Sequence, residues 1–137
     1  MESRYLFRGK RIDNGKWVYG MPTRREDGEI GAIEDWDKEN TYTIYDINPS
    51  TVCQCTGIKD KNGNLIFEND IMWAHIDDDF PEDVSRFKVE WNGRGWVENQ
   101  PGVVDREYLD DFDTEHYAVI GNVFDNPELL EGSHDGE

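Results

Sequence analysis

The stretch TGIKDKNGNLIFENDI, residues 56–71, sets two turns and two strand starts within sixteen residues. Asn62 and Gly63 both tolerate positive φ, so the pair predicts a type I′ turn between twisted antiparallel strands. Downstream, Phe67-Glu68-Asn69-Asp70 reads as a second tight turn. An Asp at such a turn commonly accepts hydrogen bonds from backbone N–H groups, and Asp70 is expected to fix the entry of the strand that starts at Ile71 in this way. Glu68 and Asp70 could also split their pKa values and serve as acid and base. The turn role accounts for both residues without invoking a reaction.

Working outward, the Asn-Gly pair recurs at Asn14-Gly15 and Asn92-Gly93, each between segments of strand composition. Before the first pair stand Tyr5 and Phe7; after it Trp17, Val18 and Tyr19 alternate faces, which predicts one buried face. TYTIYDI, residues 41–47, puts Tyr42 and Ile44 on one side and Thr41, Thr43 and Tyr45 on the other, until Asn48-Pro49 breaks the strand. Val52 to Cys55 begin the next extended piece, which leads through Thr56-Gly57 into the central hairpin. IMWAHI, residues 71–76, has the length of an innermost strand. Arg86 to Trp91 alternate strictly and return after Asn92-Gly93 as Gly95-Trp96-Val97-Glu98, a two-faced ribbon. Tyr108, Leu109 and Phe112 are spaced as one helical face, predicting a short amphipathic helix over residues 106–113. Residues 117–123 read as a final strand, and Asn126-Pro127-Glu128 as a helix start with Asn at the cap and Pro at the first helical position.

The central run, together with LFRGKRIDNGKWVYG (residues 6–20) and VIGNVFDNPELL (residues 119–130), closely resembles the YopX family of bacteriophage and prophage proteins. The three motifs stand in the family's order and span nearly the whole chain. One departure is Asn69, where the family pattern has Gly, and Asn is the next most tolerant residue of a left-handed turn. The resemblance implies a mainly β domain, an SH3-like barrel or roll of antiparallel hairpins with one or two short helices. It assigns no activity, because a fold does not by itself specify a function.

At 137 residues the chain fits one domain, expected over residues 1–131 with a disordered acidic tail at 132–137. Leu, Ile, Val and Phe total only 30 of 137, near the ~20% line below which a charged chain is expected to be disordered. Five Trp, six Tyr and six Phe offset that shortage, and an aromatic-rich core is expected. Net charge is −17, spread unevenly: residues 1–25 hold seven Lys/Arg against two acids, while residues 26–137 hold seven against twenty-nine. Such charge repels nucleic acid and anionic lipid at long range and favours basic partners. No apolar run reaches the ~20 residues of a membrane span and the start lacks a signal-peptide core, so a cytoplasmic location is expected. Cys53 and Cys55, two apart on a strand, are too close in sequence for an ordinary structural disulfide and fit that reducing compartment.

Constellations that could carry chemistry are weak. Asp77-Asp78-Asp79 with Glu82 and Asp83 concentrate oxygen, but the alternate spacing and central Gly of a calcium loop are missing. Cys53 and Cys55 with one of His75, His116 or His134 lack the pair spacing of a zinc site and read as packing residues. No triad order or phosphate loop is present. Catalytic, cofactor-binding and metal residues are therefore all expected to be none. Arg4, Arg8, Lys10, Arg11 and Lys16 interleave with Tyr5, Phe7, Trp17 and Tyr19, as in single-strand binders, but strand alternation is expected to separate the cations from the rings.

The expected function is a non-enzymatic protein-interaction module of phage or prophage origin, whose acidic surface meets a partner with a basic patch. Nucleic acid and membrane are not expected as partners. The alternatives are a nucleic-acid mimic that inhibits a host DNA-binding enzyme and a single-strand binder using the basic N-terminal segment. An outward cluster among Trp36, Trp73, Trp91 and Trp96 would mark a docking surface.

Overall fold

The computed structural model describes residues 5–75, 79, 84–109 and 116–131. The chain is mainly β, with eleven described strands, one short α-helix and a 3-10 turn at Pro49–Thr51. It divides into two compact units, Met1–Cys55 and Thr56–Glu137. No single closed barrel is formed by the described residues; the strands lie in two antiparallel sheets.

In the first unit β1 (Phe7–Lys10), β2 (Trp17–Arg24), β3 (Ile30–Trp36) and β4 (Tyr42–Asp46) follow one another, and the start of β5 (Cys53–Lys59) pairs with β1. The order is β4-β3-β2-β1-β5, with β4 at the end. Ile33, Ile47, Cys53 and Cys55 fill the buried side. Gly9 permits this packing, because an added Cβ would stand 3.2 Å from Ile47 Cβ. Strand β3 escapes pattern reading: its only deeply buried large side chain is Ile33, and Glu34 and Asp35 interrupt any apolar alternation. The hairpin β3–β4 turns at Asp37, whose carboxylate accepts from the N–H groups of Glu39 (2.9 Å) and Thr41 (3.0 Å) while Asn40 takes φ 65°.

In the second unit β6 (Leu65–Phe67) follows the end of β5, and β7 (Asp70–Ala74), β8 (Ser85–Trp91), β9 (Trp96–Asn99), β10 (Glu107–Tyr108) and β11 (Tyr117–Asn122) form the sheet β10-β9-β8-β7-β11. Strand β7 lies inside that sheet and is its most buried, as the apolar run from Ile71 predicted. Phe87 and Val89 point inward from β8 and Val97 from β9, as strict alternation requires. Ile66, Met72, Ala74, Phe87, Val89, Leu109 and Tyr117 form the core, with the Phe87 and Tyr117 rings edge to face at 5.1 Å.

Several expectations need correction. All three Asn-Gly hairpins form, but none as type I′: Gly15, Gly63 and Gly93 have positive φ (71°, 83° and 95°) while their Asn neighbours do not. The loops are longer, with Gly closing them in the left-handed region, as in bulged hairpins. Residues 106–109 are not helical; Glu107 and Tyr108 pair with Glu98 and Val97, so exposed Tyr108 and buried Leu109 follow a period of two. Cross-strand pairing overrides the helical spacing, and residues 110–113 lie outside the described residues. The predicted helix start is met by α1 (Glu128–Glu131), but Asn126 Oδ1 accepts from Asn122 N–H at 3.3 Å rather than from the helix. The expected tail, residues 132–137, lies outside the described residues. Finally, the deeply buried side chains are mostly aliphatic, while Tyr5, Tyr19, Trp36, Tyr42, Trp91 and Tyr108 are each exposed.

Candidate interaction surface

The two buried carboxylates of the Thr56–Ile71 stretch, Asp60 and Asp70, are bonded to backbone. Asp60, buried, accepts at Oδ1 from Asn62 N–H (2.9 Å) and Asn64 N–H (2.8 Å), and at Oδ2 from Val119 N–H (2.9 Å). It clamps the hairpin loop and ties it to β11. Asp70, also buried, accepts from Phe67 N–H at 2.8 Å across the turn in which Asn69 adopts φ 70°. Asn122 repeats the device, its Oδ1 accepting from the N–H groups of Phe124 (3.0 Å) and Asp125 (2.9 Å). Gly121 makes room: an added Cβ would come within 2.5 Å of Asn126 Oδ1. Sequence reading found Asp70 but missed Asp60, although Asp60-Lys61-Asn62-Gly63 carries the side-chain turn signal.

Cys53 and Cys55 are buried, and the Cys53 thiol donates to Thr51 O at 3.2 Å. His75 N–H meets His116 O at 3.4 Å through the backbones. Among the described residues no group of three or more His, Cys, Asp or Glu is placed to hold a metal ion. Asp77, Asp78, Glu82, Asp83 and His134 lie outside the described residues. Near β9 and β10 a cleft of about 300 Å³ is lined by Glu98, Gln100, Val103, Asp105 and Glu107. Beside it, burial would raise the Glu90 carboxyl, yet Lys88 at 3.0 Å, joined by Asn99 and Arg106, holds it below the ordinary carboxylate range.

The first unit presents a different surface. Register places Arg8 opposite Tyr19 and Lys10 opposite Trp17, so cations and rings share one face instead of the opposite faces that single-strand alternation implied. The Arg8 guanidinium sits 4.6 Å from the Trp17 ring centre and the Lys10 ammonium 5.5 Å. On that same face Met21 opposes Glu34, Glu34 opposes Ile44, and Trp36 opposes Tyr42. Tyr19, Met21, Trp36, Tyr42 and Ile44 are between 43% and 52% exposed, and the Trp36 and Tyr42 rings meet at 4.6 Å. Of the four Trp residues considered, Trp36 and Trp91 are exposed. Glu34 is held in place at the centre of the patch, accepting from Thr23 Oγ1 (3.0 Å) and Trp36 Nε1 (3.1 Å), with no cationic partner among the described residues. Beside β4 a cleft of about 290 Å³ is lined by Arg11, Ile12, Asp13, Ile44, Tyr45 and Asp46. Contiguous apolar exposure of this kind marks interaction sites more often than bare surface does.

Two antiparallel sheets, backbone-clamping carboxylates and an exposed ring-bearing face define a small mainly β protein with a candidate docking surface. Residues 6–131 match the family model described as YopX protein, so the chain belongs to the YopX family. A search of the curated proteins gave no match. Among solved structures, the crystal structure of protein EF1440 from Enterococcus faecalis is similar, with TM-score 0.61 and 22% identity over 90% of this chain and 96% of that one. That likeness is one of fold. No helix among the described residues is long and apolar enough to cross a membrane.

Proposed function

We propose that this chain is a non-enzymatic protein-interaction module, of phage or prophage origin and acting in the bacterial cytoplasm, that docks a partner carrying a basic patch. The observation that carries the reading is the exposed face of β2, β3 and β4, where Tyr19, Met21, Trp36, Tyr42 and Ile44 surround Glu34. Apolar anchors give short-range affinity, while surplus negative charge steers a basic partner and rejects acidic ones. The net charge of −17 supports the electrostatic half of this reading. Immobilised chain is expected to retain a basic protein from host lysate at roughly 50 mM salt and to release much of it at roughly 300 mM, because screening shortens the reach of exposed charges. Retention of no protein at low salt would contradict the proposal.

A second reading, single-strand nucleic-acid binding through the basic N-terminal segment, is favoured by one observation: Arg8 and Lys10 share a face with Trp17 and Tyr19. Against it, both cations lie over the Trp17 ring that a base would stack on. A gel shift with short oligonucleotides at low salt tests it, and the first reading expects no shift.

A further inference from the structure

We propose that the outer edge of β4, with the cleft beside it, receives an extended segment of the partner protein as an added strand; this rests on the interaction-module reading above. Strand β4 ends the sheet order; among the described residues its ladder partner is β3, through Tyr42 to Asp46, with an Arg11–Ile47 bridge just beyond its end. The Asp46 carbonyl accepts from Ile12 N–H at 3.1 Å, so the polar backbone groups of Asp46 face away from β3. A strand's period of two then turns the N–H and C=O of Ile44 and Tyr42 to the same open side. Ile12 thus occupies the first rung of this edge and leaves the next two for a guest.

The edge lacks the usual guards. Residues 42–46 hold no Pro, no Lys and no bulge, and their β-branched and aromatic composition favours pairing. Side chains of a guest strand opposite Tyr42 and Ile44 would continue the exposed apolar rows, which selects apolar residues at alternate positions. Where the guest leaves the edge it enters the 290 Å³ cleft, whose walls include Ile12, Ile44 and Asp46. Asp13 in that cleft is already bridged by Arg11 at 2.6 Å, whereas Asp46 has no cationic partner among the described residues. Glu34 stands next to Ile44 in the same condition. A Lys or Arg at the cleft end of the guest supplies the missing charge. The occupant is therefore an apolar-x-apolar strand of a protein, flanked by a basic residue, rather than a second copy of a chain carrying −17.

The test uses the full chain and two blocked synthetic peptides that alternate Val and Thr and carry Lys at one end or the other. One of them is expected to bind and to slow hydrogen exchange at the Tyr42 and Ile44 amides by at least about tenfold, because those N–H groups become paired. N-methylation of the peptide backbone keeps its side chains and charge, and is expected to weaken binding at least about tenfold, as is Ile44→Lys in the protein. Thermal melting checks that this variant is folded, and the N-methylated peptide is an independent readout. Equal binding of methylated and unmethylated peptide, or unchanged exchange at both amides, overturns the added strand. If Ile44→Lys still retains the basic lysate protein with the same salt dependence, the edge proposal fails while the interaction-module reading stands; if wild type retains nothing, that reading fails. A dimer in sedimentation that Ile44→Lys dissociates assigns the edge to a second copy and also overturns the proposal.

Discussion

Two exposed aromatic clusters invite comparison. In the second unit Trp91 packs edge to face on Trp96 at 5.0 Å, and the Tyr108 hydroxyl accepts from Asn92 Nδ2 at 3.2 Å. Gly95 lets the Tyr108 ring approach, since an added Cβ would stand 3.0 Å from it. These rings brace the end of β8, β9 and β10, where Asn92 Oδ1 also caps the loop. In the first unit Trp36 and Tyr42, the last cross-strand pair before the β3–β4 turn, touch each other and border the sheet-edge strand β4. Carboxylates divide in the same way: Asp60 and Asp70 are buried on backbone N–H groups, while Glu34 accepts from the exposed Trp36 ring and Asp46 lines the cleft beside β4. Exposure alone thus does not mark a docking surface; what matters is whether the exposed group already has structural work.

The largest effect should come from the buried clamp. Asp60→Ala removes the buried acceptor of three part-buried backbone N–H bonds and is expected to cost about 2–4 kcal/mol. Denaturant unfolding measures this as a lower midpoint at unchanged slope, and a loss below about 1 kcal/mol would break the contrast. Gly121→Ala comes next: the new methyl displaces Asn126, and a cost of about 1–3 kcal/mol is expected for such overpacking, read by thermal melting. Paired truncations sharpen the comparison of rings. Tyr108→Ala is expected to cost about 1–2 kcal/mol, whereas Tyr42→Ala costs about 0.5 kcal/mol or less and instead weakens partner binding. Equal stability losses from the two would place both clusters in the scaffold.

The smallest effect concerns the β3–β4 turn. The Thr41 hydroxyl, and then the Thr41 N–H, hold the Asp37 carboxyl below the ordinary aspartate range. A carboxyl lowered by folding contributes stability above its unfolded pKa, and loses it as pH falls through the lower folded value. Thr41→Val is therefore expected to raise the Asp37 pKa in an NMR titration and to lower stability slightly at neutral pH, the difference from wild type vanishing in acid below the folded pKa. An Asp37 titration identical to wild type would remove the side-chain hydrogen bond from the account.

Most of the fold was legible where a residue has a single local reason to be present. The left-handed turn that the family resemblance implied at Asn69 is present with φ 70°, and the alternation of residues 86–91 placed Phe87 and Val89 inward. What failed depended on long-range pairing. The Glu107–Tyr108 segment became a strand because β9 was there to pair with it. Strand β3 has too little apolar pattern to be seen without β2 and β4 beside it. The shared face of Arg8, Lys10, Trp17 and Tyr19 follows from register, which a strand taken singly does not contain. The candidate surface was legible only as Trp36, because an exposed Tyr42 or Ile44 reads in sequence like half of an ordinary buried strand.

Oxidative footprinting of the chain, alone and with a captured basic partner, tests the contrast most directly. Protection of Met21 and Trp36, with Trp91 oxidised as in the free chain, is the predicted result. Protection of Trp91 with Met21 and Trp36 unchanged would contradict it.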